Sequence, residues 1–296
     1  MLLDGKTIAE KIKDALKKEV TGLTAKRGGS PKLVAVQIGK NPSSLVYINS
    51  QKKAAESVGI EFKLVDLSES VSQSEAERSV GELAADKNVT AIILQQPMPP
   101  AIDAKMLMDI IPPAKDAEGM HPENLGRVLT GDNRIGPCTA MAVMALLEST
   151  GVKFYGKEAV VVGHSDIVGK PLSLMLLDKF VTTTVCHIAT DERGALAGHV
   201  GRAEILISAV GKAGVIKGDW VKDGAIVIDV GINHRDGRIV GDIEFEPAAK
   251  KALYITPVPG GVGPVTVAML MKNVVELYNA QCTIHDSVSR HNDPLR

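Results

Sequence analysis

Twice along this chain, short apolar runs rich in β-branched residues alternate with longer stretches of helical period, and that alternation leaves few folds open. In the first series the runs fall at residues 33–38, 62–67 and 90–94, and the helical stretches at 7–26, 41–58 and 74–85. In the first helical stretch Ile8, Ile12, Leu16, Val20 and Leu23 share one face, and Gly28-Gly29 ends it. A helix over 139–149 leads into the second series, whose runs fall at 159–162, 183–186, 205–210 and 225–230. Strands that are apolar throughout, rather than alternating, belong to parallel sheets covered on both faces.

Length and composition agree with two such units. A chain of 296 residues exceeds what one ordinary core organises. Aromatic residues make up 3% of a chain that is 45% hydrophobic, so the cores must be built from aliphatic side chains. The formal net charge is −1 with both signs interspersed, which excludes the basic stripe of a nucleic-acid binder. No apolar run approaches the length of a membrane span. Cys138, Cys186 and Cys282 match neither a disulfide framework nor a metal site, so reduced thiols in a cytoplasmic protein without a metal are expected. The amphipathic start reads as neither a secretory signal nor a transit peptide.

The main chemical signal follows the first strand of the second series. Gly163-His164-Ser165-Asp166-Ile167-Val168-Gly169 links that strand to an apolar helix beyond Pro171. A glycine there lets the backbone turn tightly against a pyrophosphate, and the helix N-terminus offers free N–H groups. The same arrangement also serves as a purely structural connection. Dinucleotide enzymes read the adenosine ribose near the end of the next strand, here Cys186-His187-Ile188-Ala189-Thr190. That segment holds no Arg, Lys or Ser for a 2′-phosphate, which favours NAD over NADP. His164 and His187 are either partial sources of charge or ordinary polar loop residues.

Further strings tie these segments to a family. The glycine loop through Lys170-Pro171 resembles that of the methylenetetrahydrofolate dehydrogenase/cyclohydrolase family. Lys115-Asp116-Ala117-Glu118-Gly119, Val227-Ile228-Asp229-Val230-Gly231-Ile232-Asn233 and Thr256-Pro257-Val258-Pro259-Gly260-Gly261-Val262-Gly263-Pro264 are similar to three more of its signatures, and Ser44-x-x-Tyr47 and Pro137-Cys138-Thr139 add two. The resemblance implies a homodimer of two-domain α/β subunits and oxidation of 5,10-methylenetetrahydrofolate, a tetrahydrofolate derivative, in one-carbon metabolism. The expected fold is an N-terminal α/β catalytic domain (1–138 with 266–280) and a Rossmann-like dinucleotide-binding domain (139–265). The C-terminal helix packs back on the first domain, and 281–296 form a tail. Tyr47, Gln51, Gln95 and Glu118 take the catalytic positions, and Ser44, Lys53, Pro259, Gly260 and Gly261 the substrate positions. Gly163, His164, Ser165, Ile167, Gly169, Ile188, Ile232 and Thr266 take the cofactor positions.

Departures from the family pattern sharpen the expectation. The family reads Tyr-x-x-x-Lys-x-Lys, and this chain reads Tyr47-Ile48-Asn49-Ser50-Gln51-Lys52-Lys53. Gln51 stands where the Lys associated with cyclohydrolase chemistry belongs, on the Tyr47 face of the helix. An amide cannot exchange a proton as a lysine can. Lys53 matches the second family Lys, and Lys52 is about 140° around the helix from Tyr47. Hydride removal needs orientation more than an acid or base, so dehydrogenase activity is expected to persist with cyclohydrolase activity weak or absent. Glu118 replaces a family Asp, and Gln95-Gln96-Pro97-Met98-Pro99 keeps the family Gln but not its apolar neighbour. His164, Ile188 and Ala189 replace the residues that hold the 2′-phosphate. Tyr47 packs or stacks on the substrate, Asp116 orients its loop, and Asp229 either caps a strand or meets ligand.

Overall fold

The computed structural model describes residues 1–291, the side chains of residues 27, 42, 43 and 282–291 excepted. The chain divides into a first unit, Ile12–Gly126 with the residues from Leu270 on, and a second, Met1–Lys11 with Arg127–Met269. The N-terminal residues join the second unit, unlike the expected division, because Leu3 N donates to Ile255 O (2.8 Å) and Gly5 N to Gly260 O (3.0 Å).

In the first unit, β1 (Lys32–Ile38), β2 (Glu61–Leu67) and β3 (Ala91–Leu94) form a parallel sheet in the order β2-β1-β3. β1 and β3 are the continuous apolar runs of the sequence, and both are buried. β2 departs from the expectation of strands covered on both faces. It is an edge strand, and its Glu61, Lys63 and Leu64 are exposed. Helix Pro42–Val58 connects β1 to β2, and Gln73–Ala85 connects β2 to β3. The second of these starts on a capping box: Ser72 Oγ accepts from Glu75 N (3.3 Å) while the Glu75 carboxylate accepts from Ser72 N (3.0 Å). Its Ala76 and Val80 pack on Val34, Val36, Ile92 and Leu94.

In the second unit, β4 (Glu158–Val162), β5 (Thr182–Cys186), β6 (Ile205–Ser208), β7 (Ile226–Asp229), the hairpin strands β8 (Asn233–Arg235) and β9 (Arg238–Val240), and β10 (Tyr254–Ile255) follow in chain order. Five of them make a parallel sheet, β10-β7-β6-β4-β5. The order reverses at β4, with β5 on one side and β6 on the other, so the loops after β4 and β6 diverge and leave a crevice at the carboxyl edge. The core is aliphatic, as composition requires, with Val160, Leu206, Val227 and Ile255 at its centre.

Several short elements carry no readable period: helices Ala104–Ile110, Pro122–Leu129, Leu196–Arg202 and Phe245–Lys251, and the β8–β9 hairpin. The final helix runs Val262–His291, so the segment expected as a tail from residue 281 is helical as far as His291. Residues 292–296, and the Cys282 side chain, lie outside the described residues. Cys186 is buried, and burial pushes its thiol pKa up, which suits a small core residue. No helix among the described residues is long and apolar enough to cross a membrane.

Two buried aspartates end the central strands. The apolar runs read as 205–210 and 225–230 stop at Ser208 and Asp229: Ala209 N and Val230 N still donate to the strand carbonyls of Val162 and Ser208 (both 2.8 Å), and the N–H groups after them, of Val210 and Gly231, turn to aspartate carboxylates. Asp242 accepts from Val210 N (2.7 Å), Gly211 N (3.2 Å) and Lys212 N (3.0 Å), from Ser208 Oγ (3.0 Å) and from Asn233 Nδ2 (3.0 Å). Asp229 accepts from Gly231 N (3.0 Å), Asp242 N (3.0 Å) and Ile243 N (2.8 Å). A Cβ on Gly241 would lie 2.0 Å from Asp229 Oδ2, so only glycine fits there. Asp242→Ala leaves five donors without their acceptor, three on the loop after β6 and one each on Ser208 and Asn233, and a loss of about 3 kcal/mol is expected in urea or thermal unfolding. A change below about 1 kcal/mol would mean that water replaces the carboxylate.

Candidate active site

In the first unit, Gln95 follows β3 and Gln51 lies on helix Pro42–Val58; both are buried. Gln95 Nε2 donates to Gln51 Oε1 at 3.0 Å. That bond fixes the orientation of both amides and leaves the Gln51 Nε2 donors without a partner among the described residues. Tyr47 lies one turn before Gln51 on the same helix and is half-exposed (49%), its ring available to a ligand face. Ser44 Oγ donates to Gln96 O (3.0 Å), which ties the start of this helix to the loop after β3. Lys53 is exposed and about 200° around the helix from Gln51, so it faces away from the amide pair.

Asp116 builds the neighbouring loop. It is buried and accepts from Glu118 N (3.2 Å), Gly119 N (3.0 Å), His121 N (2.7 Å) and Asn124 Nδ2 (2.9 Å). Its role is structural orientation of the loop. Its segment pairs with β3 at Ile92, which brings Glu118 alongside the strand end that carries Gln95. The Glu118 residue keeps some accessible surface, but desolvation, then the charge of Asp116, pushes its carboxyl up to about 8. At neutral pH it is a protonated acid, able to donate as well as accept.

The second unit holds a cavity of about 630 Å³ at the carboxyl ends of β4, β5 and β6. Gly163, His164, Ser165, Ile167 and Ile188 all line it, as do His187, Asp191 and Lys212. Gly163 has φ 123°, and a Cβ there would lie 2.4 Å from Ala209 O. Gly169 supports the turn from behind, since a Cβ there would meet Gly163 O at 2.0 Å. Ser165 Oγ accepts from Val168 N (3.2 Å), holding the turn that precedes helix Gly169–Leu177. A glycine cradle, a helix start and a largely aliphatic pocket fit a dinucleotide. Ile232 and Thr266 are not part of the walls of this cavity, and Thr266 Oγ1 donates within its own helix to Val262 O (3.2 Å). Pro259, Gly260 and Gly261 belong to a loop of the second unit that accepts the Gly5 N–H. Asp229 accepts three backbone N–H groups at the strand ends. Sequence reasoning missed Asp242, which no sequence motif marks, and Asp191, which lies one residue beyond the segment Cys186–Thr190 read after β5.

Residues 3–118 match the tetrahydrofolate dehydrogenase/cyclohydrolase catalytic domain, and residues 137–282 match the NAD(P)-binding domain of the same family. The chain belongs to the tetrahydrofolate dehydrogenase/cyclohydrolase family. It is 48% identical over 280 residues to the bifunctional protein FolD of Sulfurihydrogenibium sp. (strain YO3AOP1), covering 94% of this chain and 97% of that one. The crystal structure of the bifunctional FolD methylenetetrahydrofolate dehydrogenase/cyclohydrolase from Campylobacter jejuni superposes with a TM-score of 0.90 at 41% identity, covering 95% and 99% of the two chains. The Trypanosoma brucei enzyme, solved with NADP cofactor and inhibitor, gives 0.90 at 39% identity, covering 95% and 98%.

Two desolvated carboxyls, Glu118 and Asp229, give stability a pH dependence of defined sign. Glu118 rises from 4.5 to about 8, and Asp229 from 3.8 to about 7, both chiefly through desolvation. Acids raised in the folded state contribute stability that is complete below their unfolded pKa and is lost as pH climbs through the folded value. Melting temperature is therefore expected to fall between about pH 4 and pH 8, and Glu118→Gln to lessen that fall. An unchanged slope in the variant would mean that Glu118 is not desolvated.

Proposed function

We propose that this chain is a cytoplasmic, homodimeric methylenetetrahydrofolate dehydrogenase that favours NAD over NADP and hydrolyses its methenyl product weakly or not at all. The observation that carries this reading is the buried amide pair, Gln95 Nε2 to Gln51 Oε1 at 3.0 Å. Oxidation breaks one C–H bond of the substrate methylene, and the folate nitrogens share the resulting cation. Bound NAD supplies the acceptor for the departing hydride. The protein's part is to hold the ring, and residues suited to that surround the amide pair. Tyr47 offers an aromatic face. Gln51 donates through its free Nε2, and the protonated Glu118 carboxyl presents a donor and an acceptor to the pterin edge. None of these steps needs a proton to leave the protein.

Hydrolysis of the methenyl product is different, because water must lose a proton as it attacks carbon. At the position the family gives to Lys, Gln51 has no proton to exchange and its oxygen is already engaged by Gln95. A bifunctional reading is favoured by the names of relatives such as the Sulfurihydrogenibium protein, and it would require another group to activate water.

On the cofactor side, His164 and Ile188 stand in the cavity wall where the family pattern has 2′-phosphate ligands. Purified protein supplied with 5,10-methylenetetrahydrofolate is expected to reduce NAD with a kcat/KM at least about tenfold above that for NADP. Equal or faster reduction of NADP would overturn the cofactor preference, and no reduction of either would overturn the dehydrogenase reading.

A further inference from the structure

The wall of the nucleotide cavity beyond β5 carries one charge that the family resemblance does not assign. Helix Ile188–Glu192 begins directly after β5, the second strand of the dinucleotide series, and its Asp191 lines the cavity beside His187 and Ile188. The Asp191 backbone is used within the turn: its N–H reaches His187 O (3.4 Å), and its C=O accepts from Gly194 N (2.7 Å). Its carboxylate is exposed and makes no hydrogen bond or ion pair among the described residues. A carboxylate left open at the end of the second strand is placed to accept hydrogen bonds from a ribose diol.

The cations nearby do not offset it. Lys170 lines the same cavity but pairs with Asp166 at 2.6 Å. Lys212 belongs to the loop after β6, and β4 separates β6 from β5 in the sheet, so Lys212 stands at the opposite end of the crevice. Arg202 is engaged by Glu158 and by Thr184 Oγ1 (3.0 Å). Arg193 follows in sequence but does not line the cavity. The other polar side chains lining the cavity are Ser165 and the His164 and His187 rings, whose centroids are 5.4 Å apart. A dianionic 2′-phosphate would therefore meet a free carboxylate with no committed cation beside it, whereas a free 2′-hydroxyl would meet an acceptor.

We propose that Asp191 is the specificity-determining residue of the adenosine subsite, accepting from the ribose hydroxyls of NAD and repelling the 2′-phosphate of NADP. The proposal rests on the dehydrogenase reading above and deepens its cofactor preference. The test uses adenosine fragments, whose binding needs no folate chemistry. Affinities of 5′-ADP and 2′,5′-ADP are measured by calorimetry for the full chain and for its Asp191→Ser and Asp191→Glu variants. The unsubstituted chain is expected to bind 5′-ADP at least about tenfold more tightly than 2′,5′-ADP. Asp191→Ser is expected to weaken 5′-ADP and strengthen 2′,5′-ADP, closing that gap by about tenfold, while Asp191→Glu keeps the original order. Unchanged affinities in Asp191→Ser, or a preference of the unsubstituted chain for 2′,5′-ADP, would overturn the assignment. Neither result bears on folate oxidation, which fails separately if no cofactor is reduced in the presence of 5,10-methylenetetrahydrofolate.

Discussion

Buried aspartates that collect backbone N–H groups shape the loops on which the candidate sites depend. A parallel sheet leaves the amides beyond its carboxyl ends without strand partners, and those amides cannot stay buried and unpaired. In the second unit Asp242 and Asp229 gather the loops after β6 and β7, and the Gly241 and Gly231 backbones close against their carboxylates. In the first unit Asp116 plays the same part for the loop that carries Glu118. The nucleotide cavity and the Glu118 loop are thus set by acids that need no ligand contact of their own.

Against that fixed frame, the chemistry turns on what the facing side chains can exchange. A hydride moves with its electron pair, and the protein need only orient the two rings. Water addition needs a base. The first unit places two amides at its centre, bonded to each other, and a carboxyl that is neutral at physiological pH. Such a group of donors and acceptors binds a heterocycle well and moves protons poorly. The two activities united in the names of the family's bifunctional members make separable chemical demands.

Much of the fold was legible because the buried strands of parallel sheets are continuously apolar. Residues 33–38 and 159–162 could be placed within a residue of β1 and β4. The signal weakens at edges, where β2 and β5 have one neighbour and tolerate polar side chains. It vanishes for the β8–β9 hairpin and for helix Leu196–Arg202, which are too short to display a period. The final helix outran its reading because the polar residues after Ala280 carry no stripe. Of the candidate site, Gly163, Gly169, Gln51 and Gln95 were singled out in the sequence through motif and spacing. Asp242 and Asp191 were not, because one acid caps amides far away in sequence and the other lines a cavity that only the fold assembles.

The central claim is that Gln51, standing where the family pattern has lysine, withholds cyclohydrolase activity. It is tested most directly by giving preformed 5,10-methenyltetrahydrofolate to the unsubstituted protein and to Gln51→Lys, and following loss of the methenyl absorbance. The expected result is decay at the buffer rate with the unsubstituted protein and decay at least about tenfold faster with the variant. Rapid hydrolysis by the unsubstituted protein, at a rate comparable with its cofactor reduction, would contradict the account.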